Sequence, residues 1–246
     1  MEILFLDYHL VAMAKPAGLL VHRSAVDRRE TASALQLTRD RIGRRVYPVH
    51  RLDRPTSGVL LFALSPETAT VLGAAFSNRQ VVKRYLAVVR GIVPEKGVID
   101  HPLVEEPDRK VDRLARSGKE AQEAVTSFRL LATAEIPLPS GRHATSRYSL
   151  VEARPLTGRK HQIRRHCKHL HHPVIGDTTH GAGFHNRRFR DDFGCPRLLL
   201  HALALTVPHP VTRESLTITA PPDEEFSSLL VRMGWRDIII SEREER

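Results

Sequence analysis

The chain has 246 residues, enough for one large domain or two small ones, and 41% of them are hydrophobic, so it can bury a sizeable core. It has 38 Lys and Arg against 28 Asp and Glu, and this formal net charge of +10 is typical of proteins that bind nucleic acid. The sequence shows no secretory signal, no disulfide framework and no apolar run of the roughly 20 residues that a membrane span needs.

The excess positive charge comes mostly from Arg, since only seven of the 38 basic residues are Lys. A guanidinium binds phosphate through parallel hydrogen bonds and stacks on bases, which favours RNA as the partner. A generically basic protein is the alternative. The two cysteines, Cys167 and Cys195, are typical of a protein in a reducing cytosol, so we expect a cytoplasmic location.

The first part of the chain predicts short strands and two helices. Apolar and alternating patterns predict strands at 3–6, 10–14, 46–49, 59–64 and 84–89. A helix is predicted over 31–42 with Thr31 as its N-cap. A second helix is predicted from Ser65 to about Phe76, because Ser65 is followed by Pro at the first helical position and then by an acid.

The second part begins with a charged stretch, residues 94–118, which we expect to be a loop-like surface insertion rather than a domain boundary. Strands are predicted after it at 124–132, 147–153, 198–207 and 216–219, and helices at 158–171 and 221–234. No structure or role is assigned to residues 183–196. Strands mixed with a few helices indicate an α+β fold, one domain on a largely antiparallel sheet.

The stretch from His50 to Gly58 concentrates the reactive chemistry. One carboxylate, Asp53, lies among His50, Arg51 and Arg54, just before a strand that is predicted to be buried. Loops at strand ends commonly hold functional side chains. Asp-x-Pro-Thr-Ser-Gly is also ordinary turn chemistry, in which Asp53 accepts backbone N–H bonds. This loop alone leaves both interpretations open.

Five motifs, in order along the chain, resemble those of the RluA-type pseudouridine synthases. HRLDRPTSGVLL at 50–61 is similar to the family's active-site motif. The other four are KPAGLLVH at 15–22, KRYLAVVRG at 83–91, TGRKHQIRRH at 157–166 and HPVIGD at 172–177. The resemblance extends from about residue 3 to residue 236. In detail the sequence most resembles the TruC-type tRNA pseudouridine-65 synthases, which act in the acceptor stem.

The resemblance implies a single catalytic domain over residues 1–246, built on a largely antiparallel, bisected mixed sheet with flanking helices and a central cleft. Since the first motif begins at Lys15, there is no room for the N-terminal RNA-binding module that some relatives have. It further implies an enzyme that isomerises a uridine of tRNA without a cofactor. We expect this enzyme to be a monomer.

The resemblance also assigns roles to individual residues. Asp53 matches the family's catalytic Asp, and Arg164 matches the Arg that forms a salt bridge with it. Tyr85 matches the tyrosine that stacks on the flipped uracil. Arg51 matches the Arg that fills the space left by the flipped base, and Ile163 supplies an apolar wall beside that base. The other basic residues expected to contact the RNA are Arg54, Arg159, Lys160, Arg165 and Lys168.

The reaction explains why a carboxylate is needed. Cleavage of the N1–C1′ bond builds positive charge on the ribose, and a neighbouring carboxylate can stabilise that charge, bond to it, or take a proton from the sugar. The sequence leaves these three acts of Asp53 open. In a partly dry pocket, a nearby guanidinium favours the charged form of a carboxylate, which is the task that the resemblance gives to Arg164.

Several other functions stay open. The chain is alternatively a ribosomal RNA pseudouridine synthase, or a non-catalytic RNA-binding protein or RNA chaperone on the same fold. A glycosidase with Asp53 as nucleophile is a weakly supported alternative, because no second carboxylate is evident near the motif. Seven His between residues 161 and 185 could suggest a zinc site. The cluster holds only one Cys, however, and its several Arg would repel a metal cation, so we expect no metal.

Overall fold

The computed structural model describes residues 1–22, 32–105 and 120–236. Its strands are β1 Ile3–Leu6, β2 Leu10–Lys15, β3 Tyr47–Pro48, β4 Ser57–Ala63, β5 Val82–Arg90, β6 Lys96–Asp100, β7 Val125–Ile136, β8 Ser146–Pro155, β9 Leu200–Pro208 and β10 Ser215–Thr219. Its helices are α1 Ala34–Ile42, α2 Pro66–Ser77, α3 Gln162–His169, α4 Gly183–Phe193 and α5 Glu224–Arg232.

The strands form one mixed sheet in the order β1-β2-β4-β9-β5-β8-β7-β6, with β10 beside β9 and β3 beside β4. Within the described ranges every strand pair is antiparallel except β4 with β9. This parallel pairing is short, since only Ser57 and Gly58 face β9, and it divides the sheet into two halves. The predicted α+β fold with a bisected, largely antiparallel sheet is therefore confirmed.

Helices cover both faces of each half-sheet. In β4, Val59 and Leu61 pack with α2, while Leu60 and Phe62 pack in the cluster that contains Ala34 of α1. The second half has α3 on one face and helices α4 and α5 on the other. Strands buried on both faces are continuously apolar rather than alternating, which explains the unbroken hydrophobic run of β4.

The helix starts follow ordinary capping rules. Helix α2 begins as predicted, with the Ser65 side chain accepting the backbone N–H of Thr68 and Pro at the first turn. Helix α1 begins three residues later than predicted and is capped by Ser33, whereas Thr31 lies outside the described residues. No helix in the described ranges is long and apolar enough to cross a membrane.

Three segments differ from the predicted elements. Residues 96–100, predicted as loop, form the edge strand β6, and residues 106–118 of the predicted insertion lie outside the described part. Helix α4 forms within 183–196, where no structure was assigned. Helix α3 covers only 162–169 of the predicted 158–171, because residues 157–161 form a turn instead.

Gly58 provides a test of the joint between the half-sheets. Its φ is +114°, and a Cβ there would lie 2.1 Å from the carbonyl oxygen of Ala202. We expect Gly58→Ala to lower the free energy of unfolding by about 3 kcal/mol or more, from backbone strain and from the clash with β9. Urea denaturation measures this loss.

Gly43 is the matched control, because its φ is +65° but nothing lies within 4 Å of the position that a Cβ would take. Gly43→Ala should cost only the strain of a left-handed residue, about 1 kcal/mol. Equal losses for the two variants would contradict the close approach of β4 to β9.

Candidate active site

Asp53 lies on the loop between β3 and β4. The KPAGLLVH motif at 15–22 holds this loop in place by hydrogen bonds. The backbone N–H of Gly18 donates to the carbonyl of Arg54 at 2.9 Å, and Nε of Arg54 donates back to the carbonyl of Gly18 at 2.9 Å. The buried Lys15 donates through Nζ to the same Arg54 carbonyl at 3.0 Å. The loop turns where the N–H of Thr56 donates to the carbonyl of Asp53. Asp53 is thus held on a rigid loop.

Arg164, in the first turn of α3, joins Asp53 to a second carboxylate. Its Nη1 donates to Oδ2 of Asp53 at 3.2 Å. Its Nε and Nη2 donate to Oδ2 and Oδ1 of Asp177 at 2.7 and 2.8 Å. Asp177 also accepts the backbone N–H groups of Thr179 and His180, each at 2.9 Å. The guanidinium therefore has one orientation, with a single nitrogen directed at Asp53.

The charges of Arg164 and Asp177 stabilise each other. Burial alone would raise the pKa of Asp177, but the Arg164 hydrogen bonds and two backbone N–H groups hold this pKa below its ordinary value. Burial works against the charge of Arg164, yet Asp177 and Asp53 raise its pKa above the ordinary value. Both groups stay ionised at neutral pH, so Asp53 faces a fixed positive charge.

A pair of histidines lies on the other side of Asp53. Nε2 of His161 is 3.9 Å from Oδ1 of Asp53, and its Nδ1 is 3.0 Å from Nε2 of His180. Burial lowers the pKa of His161, so its ring is neutral at pH 7. In the sequence both histidines stood out only as doubtful zinc ligands. No cluster of three or more His, Cys, Asp or Glu that could hold a metal occurs in the described residues.

Gln162 fixes the turn from which α3 starts. Its Oε1 accepts from Oγ1 of Thr157 at 2.7 Å and from the N–H of Arg159 at 2.9 Å. Its Nε2 donates to the carbonyl of Val125 and to Oγ1 of Thr126, both at 3.0 Å. The TGRKHQIR motif is therefore bonded to β7, and this attachment sets the direction in which Arg164 projects.

Arg164, His161 and Gln162 line a cleft of about 620 Å³. This volume is within the range of about 300–1,000 Å³ typical of small-ligand sites. Asp53 lies in the cleft, with Tyr85 and Ile163 among the lining residues. Tyr85 is on β5 at a register irregularity, a local kink that alters the direction of the side chain. Burial and the charge of Asp53 raise the pKa of Tyr85, so its phenol stays protonated.

Positive charge dominates the lining of this cleft. The carboxylates that line it are Asp53 and Glu105. The cations that line it are Arg51, Arg79, Lys83, Arg159, Lys160 and Arg164. This excess of positive charge suits a cleft that receives a polyanion.

The structure separates the predicted RNA contacts into two groups. Arg51, Arg159 and Lys160 line the cleft, as does the predicted apolar residue Ile163. Arg54 and Arg165 do not line it, since Nε of Arg54 donates to the Gly18 carbonyl and Nη1 of Arg165 donates to the Val104 carbonyl. Lys168, near the end of α3, is exposed and also outside the lining.

Sequence reasoning missed four residues of this site. Lys83 and His161 lie inside the quoted motifs, and Asp177 ends one of them, so the motifs themselves were the available signal. Arg79 lies outside every motif, and nothing in the sequence pattern singles it out.

Comparison with known proteins agrees with the geometry. Residues 9–169 match the family described as RNA pseudouridylate synthase, and this span contains Asp53, Tyr85 and Arg164. The chain belongs to this family.

Relatives of this synthase cover nearly the whole chain. A Vibrio cholerae protein named tRNA pseudouridine synthase C is 51% identical over 98% of each chain. A Yersinia pestis protein of the same name is 52% identical, over 97% of this chain and 93% of the relative. The solved structure of human RNA pseudouridylate synthase domain containing 4 superposes with a TM-score of 0.70 at 26% identity, over 94% and 92% of the two chains.

Lys83 gives the cleft a pH-dependent charge. Burial lowers the pKa of Lys83 to about 8, and its Nζ donates to the carbonyl of Thr157 at 2.9 Å. The ammonium is charged below this pKa and neutral above it. We therefore expect RNA affinity to fall as the pH rises from about 7 to about 9, as measured by fluorescence anisotropy.

Lys83→Met should bind RNA more weakly at neutral pH and should lose most of this pH dependence. Lys96→Met is the control, because Lys96 is exposed on β6 and does not line the cleft. If Lys83→Met and wild type lose affinity in parallel over this range, another group is responsible.

Proposed function

We propose that this synthase converts one uridine of tRNA to pseudouridine. The observation on which the proposal rests is the placement of Asp53 in a cationic cleft, facing a guanidinium that Asp177 holds in one orientation. Two relatives named tRNA pseudouridine synthase C, at 51% and 52% identity over nearly the full chain, support tRNA as the substrate. The resemblance to the TruC-type enzymes supports uridine-65 of tRNA as the target.

The target uridine must leave its helix to reach Asp53. Extrusion of a base costs a few kcal/mol, which contacts in the pocket offset. Tyr85 stacks on the uracil and Ile163 packs beside it, while Arg51 occupies the space that the base leaves. Arg159 and Lys160 contact the RNA backbone at the same cleft. Arg54 and Arg165 are outside the lining, so any contact they make is with RNA beyond the flipped nucleotide.

Asp53 acts on the ribose of the flipped nucleotide. As the N1–C1′ bond breaks, positive charge develops on the sugar, and the carboxylate relieves it. The uracil leaves through N1, turns, and its C5 bonds to C1′. C5 then loses its proton and N1 gains one, so the reaction is an isomerisation with no net change in protons. Nothing is oxidised and no group is imported, so the proposed reaction uses no cofactor. Arg164 keeps the Asp53 carboxylate in place beside the ribose.

Two further features of the protein belong to the proposal. The lining of the cleft includes residues from both halves of the sheet of one chain, which supports a monomer as the active species. Both cysteines are free and buried, which fits a reducing compartment, and we place the protein in the cytoplasm with its tRNA substrate.

Product mapping tests the proposed reaction. The protein is incubated with unmodified tRNA and with ribosomal RNA fragments, and pseudouridine is located by carbodiimide-blocked reverse transcription. We expect the stop that marks pseudouridine at position 65 of tRNA, one nucleotide to its 3′ side, and none in the ribosomal fragments. Product in ribosomal RNA would support that class of synthase instead, and binding without product would support an RNA chaperone. Release of free uracil would indicate a glycosidase, for which Glu105 is a second carboxylate in the cleft.

Asp53→Asn tests the assignment of the catalyst. The amide is nearly isosteric but uncharged, so it cannot stabilise the positive ribose or accept its proton. We expect RNA affinity within a few-fold of wild type and no turnover in the same mapping assay. Turnover near the wild-type rate would remove Asp53 from the catalytic role.

A further inference from the structure

An exposed ion pair lies at the rim of the cleft. Nη1 of Arg79 donates to Oε1 of Glu123 at 3.0 Å, and Nη2 of Arg79 donates to Oε2. The two side chains are 50% and 52% exposed. Arg79 is in the left-handed turn that follows α2, and its side chain lines the cleft. Glu123 lies two residues before the start of β7.

Glu123 also contacts the other basic residue of this rim. Nε of Arg159 donates to the backbone carbonyl of Glu123 at 3.0 Å, and Arg159 also lines the cleft. Glu123 is therefore bonded to two arginines that come from different parts of the chain. Hydrogen bonding to Arg79 lowers the pKa of Glu123, so its carboxylate is charged at neutral pH.

The contact has the geometry that an arginine uses to bind phosphate. The guanidinium fork makes two parallel hydrogen bonds to a carboxylate or to a phosphate in the same way. Exposed ion pairs contribute little to stability, because water screens them and two long side chains must be ordered. A phosphodiester that arrives at this rim can therefore replace the carboxylate at little cost.

We propose that Arg79 and Arg159 form a binding site for an RNA backbone phosphate, and that Glu123 occupies this site in the free protein. RNA entering the cleft displaces the carboxylate and takes over the fork of Arg79. This inference rests on the proposed function only in taking the cleft as the RNA site. Glu123 then acts as an internal competitor for any RNA phosphate that binds the fork of Arg79.

A double-mutant cycle tests the proposal. Binding of unmodified tRNA is measured by fluorescence anisotropy over a range of salt concentrations for wild type, Glu123→Gln, Arg79→Gln and the double variant. Glu123→Gln should bind about two- to fivefold more tightly, because the competitor is gone. Arg79→Gln should bind more weakly, with the slope of log K against log salt reduced by about one phosphate contact.

The coupling between Arg79 and Glu123 in RNA binding distinguishes competition for the fork from general repulsion of RNA. In the Arg79→Gln background, Glu123→Gln should change the affinity by less than about twofold, since there is no fork left to release. An equal gain with and without Arg79 would mean that Glu123 only repels RNA at a distance, and would overturn the proposal. An unchanged affinity and salt slope in Arg79→Gln would also overturn it.

A second exposed ion pair provides the matched control. Nε of Arg147 on β8 lies 3.1 Å from Oε2 of Glu135 on β7, and these side chains are 62% and 49% exposed. Neither residue lines the cleft. Arg147→Gln and Glu135→Gln make the same charge changes, and we expect no coupling and no change in salt slope. All the substituted side chains are exposed, so we expect each variant to fold, and circular dichroism is the check.

Binding and product formation are read separately. If pseudouridine mapping finds no product or finds it in another RNA, the proposed function fails while the cycle still reports whether a phosphate takes the place of Glu123. If product forms at tRNA position 65 but the cycle shows no coupling, only the phosphate site fails. A wild-type protein that binds no RNA would overturn both.

Discussion

The buried ion pair of Arg164 and Asp177 is the interaction on which the candidate site depends. Both side chains are almost fully excluded from water, at 4% and 1% exposure. A buried charge without a partner is strongly destabilising, so neither group has an acceptable alternative arrangement. Asp177 accepts from Nε and Nη2, which leaves the Nη1 end of the guanidinium directed at Asp53. The ion pair thus fixes the orientation in which the Arg164 guanidinium meets the Asp53 carboxylate.

The position of the cleft follows from the bisected sheet. Asp53 precedes β4 in one half, whereas α3, with Arg164, packs on β5 and β8 of the other half. The two halves meet where Gly58 faces Ala202, and the contact of Asp53 with Arg164 spans the same junction. Residues of both halves therefore line one cleft, and the buried Arg164 of one half fixes the orientation of Asp53 on a loop of the other.

Local patterns in the sequence were enough to predict elements whose apolar period is strong, such as β4 and α2. They were not enough for β6, a short edge strand with Lys96 at one end and Asp100 at the other, on which a single residue is buried. Helix α4 was missed for a similar reason, since only His185 and Phe189 are buried among eleven residues that are mostly polar. Pairing with β7 stabilises β6, and packing of Phe189 into the core stabilises α4, so neither element depends on a periodic pattern of its own.

The site was predictable to the extent that motifs record it. The resemblance predicted that Asp53 and Arg164 are close, and they are. It did not predict that Arg165 contacts the Val104 carbonyl, although successive residues on a helix point about 100° apart, so both arginines cannot face the cleft. The ion pair of Arg79 with Glu123 joins residues 44 positions apart, and such a long-range contact leaves no local pattern in the sequence.

The most direct test of this account is the single-turnover rate of pseudouridine formation in Arg164→Lys. An ammonium cannot make two parallel bonds to Asp177 and a third to Asp53, so the catalyst loses its orientation. The account predicts a rate lower by about 100-fold or more, with tRNA affinity within a few-fold of wild type. Arg39→Lys, at an exposed ion pair of α1, should keep the wild-type rate. A wild-type rate in Arg164→Lys would contradict the account.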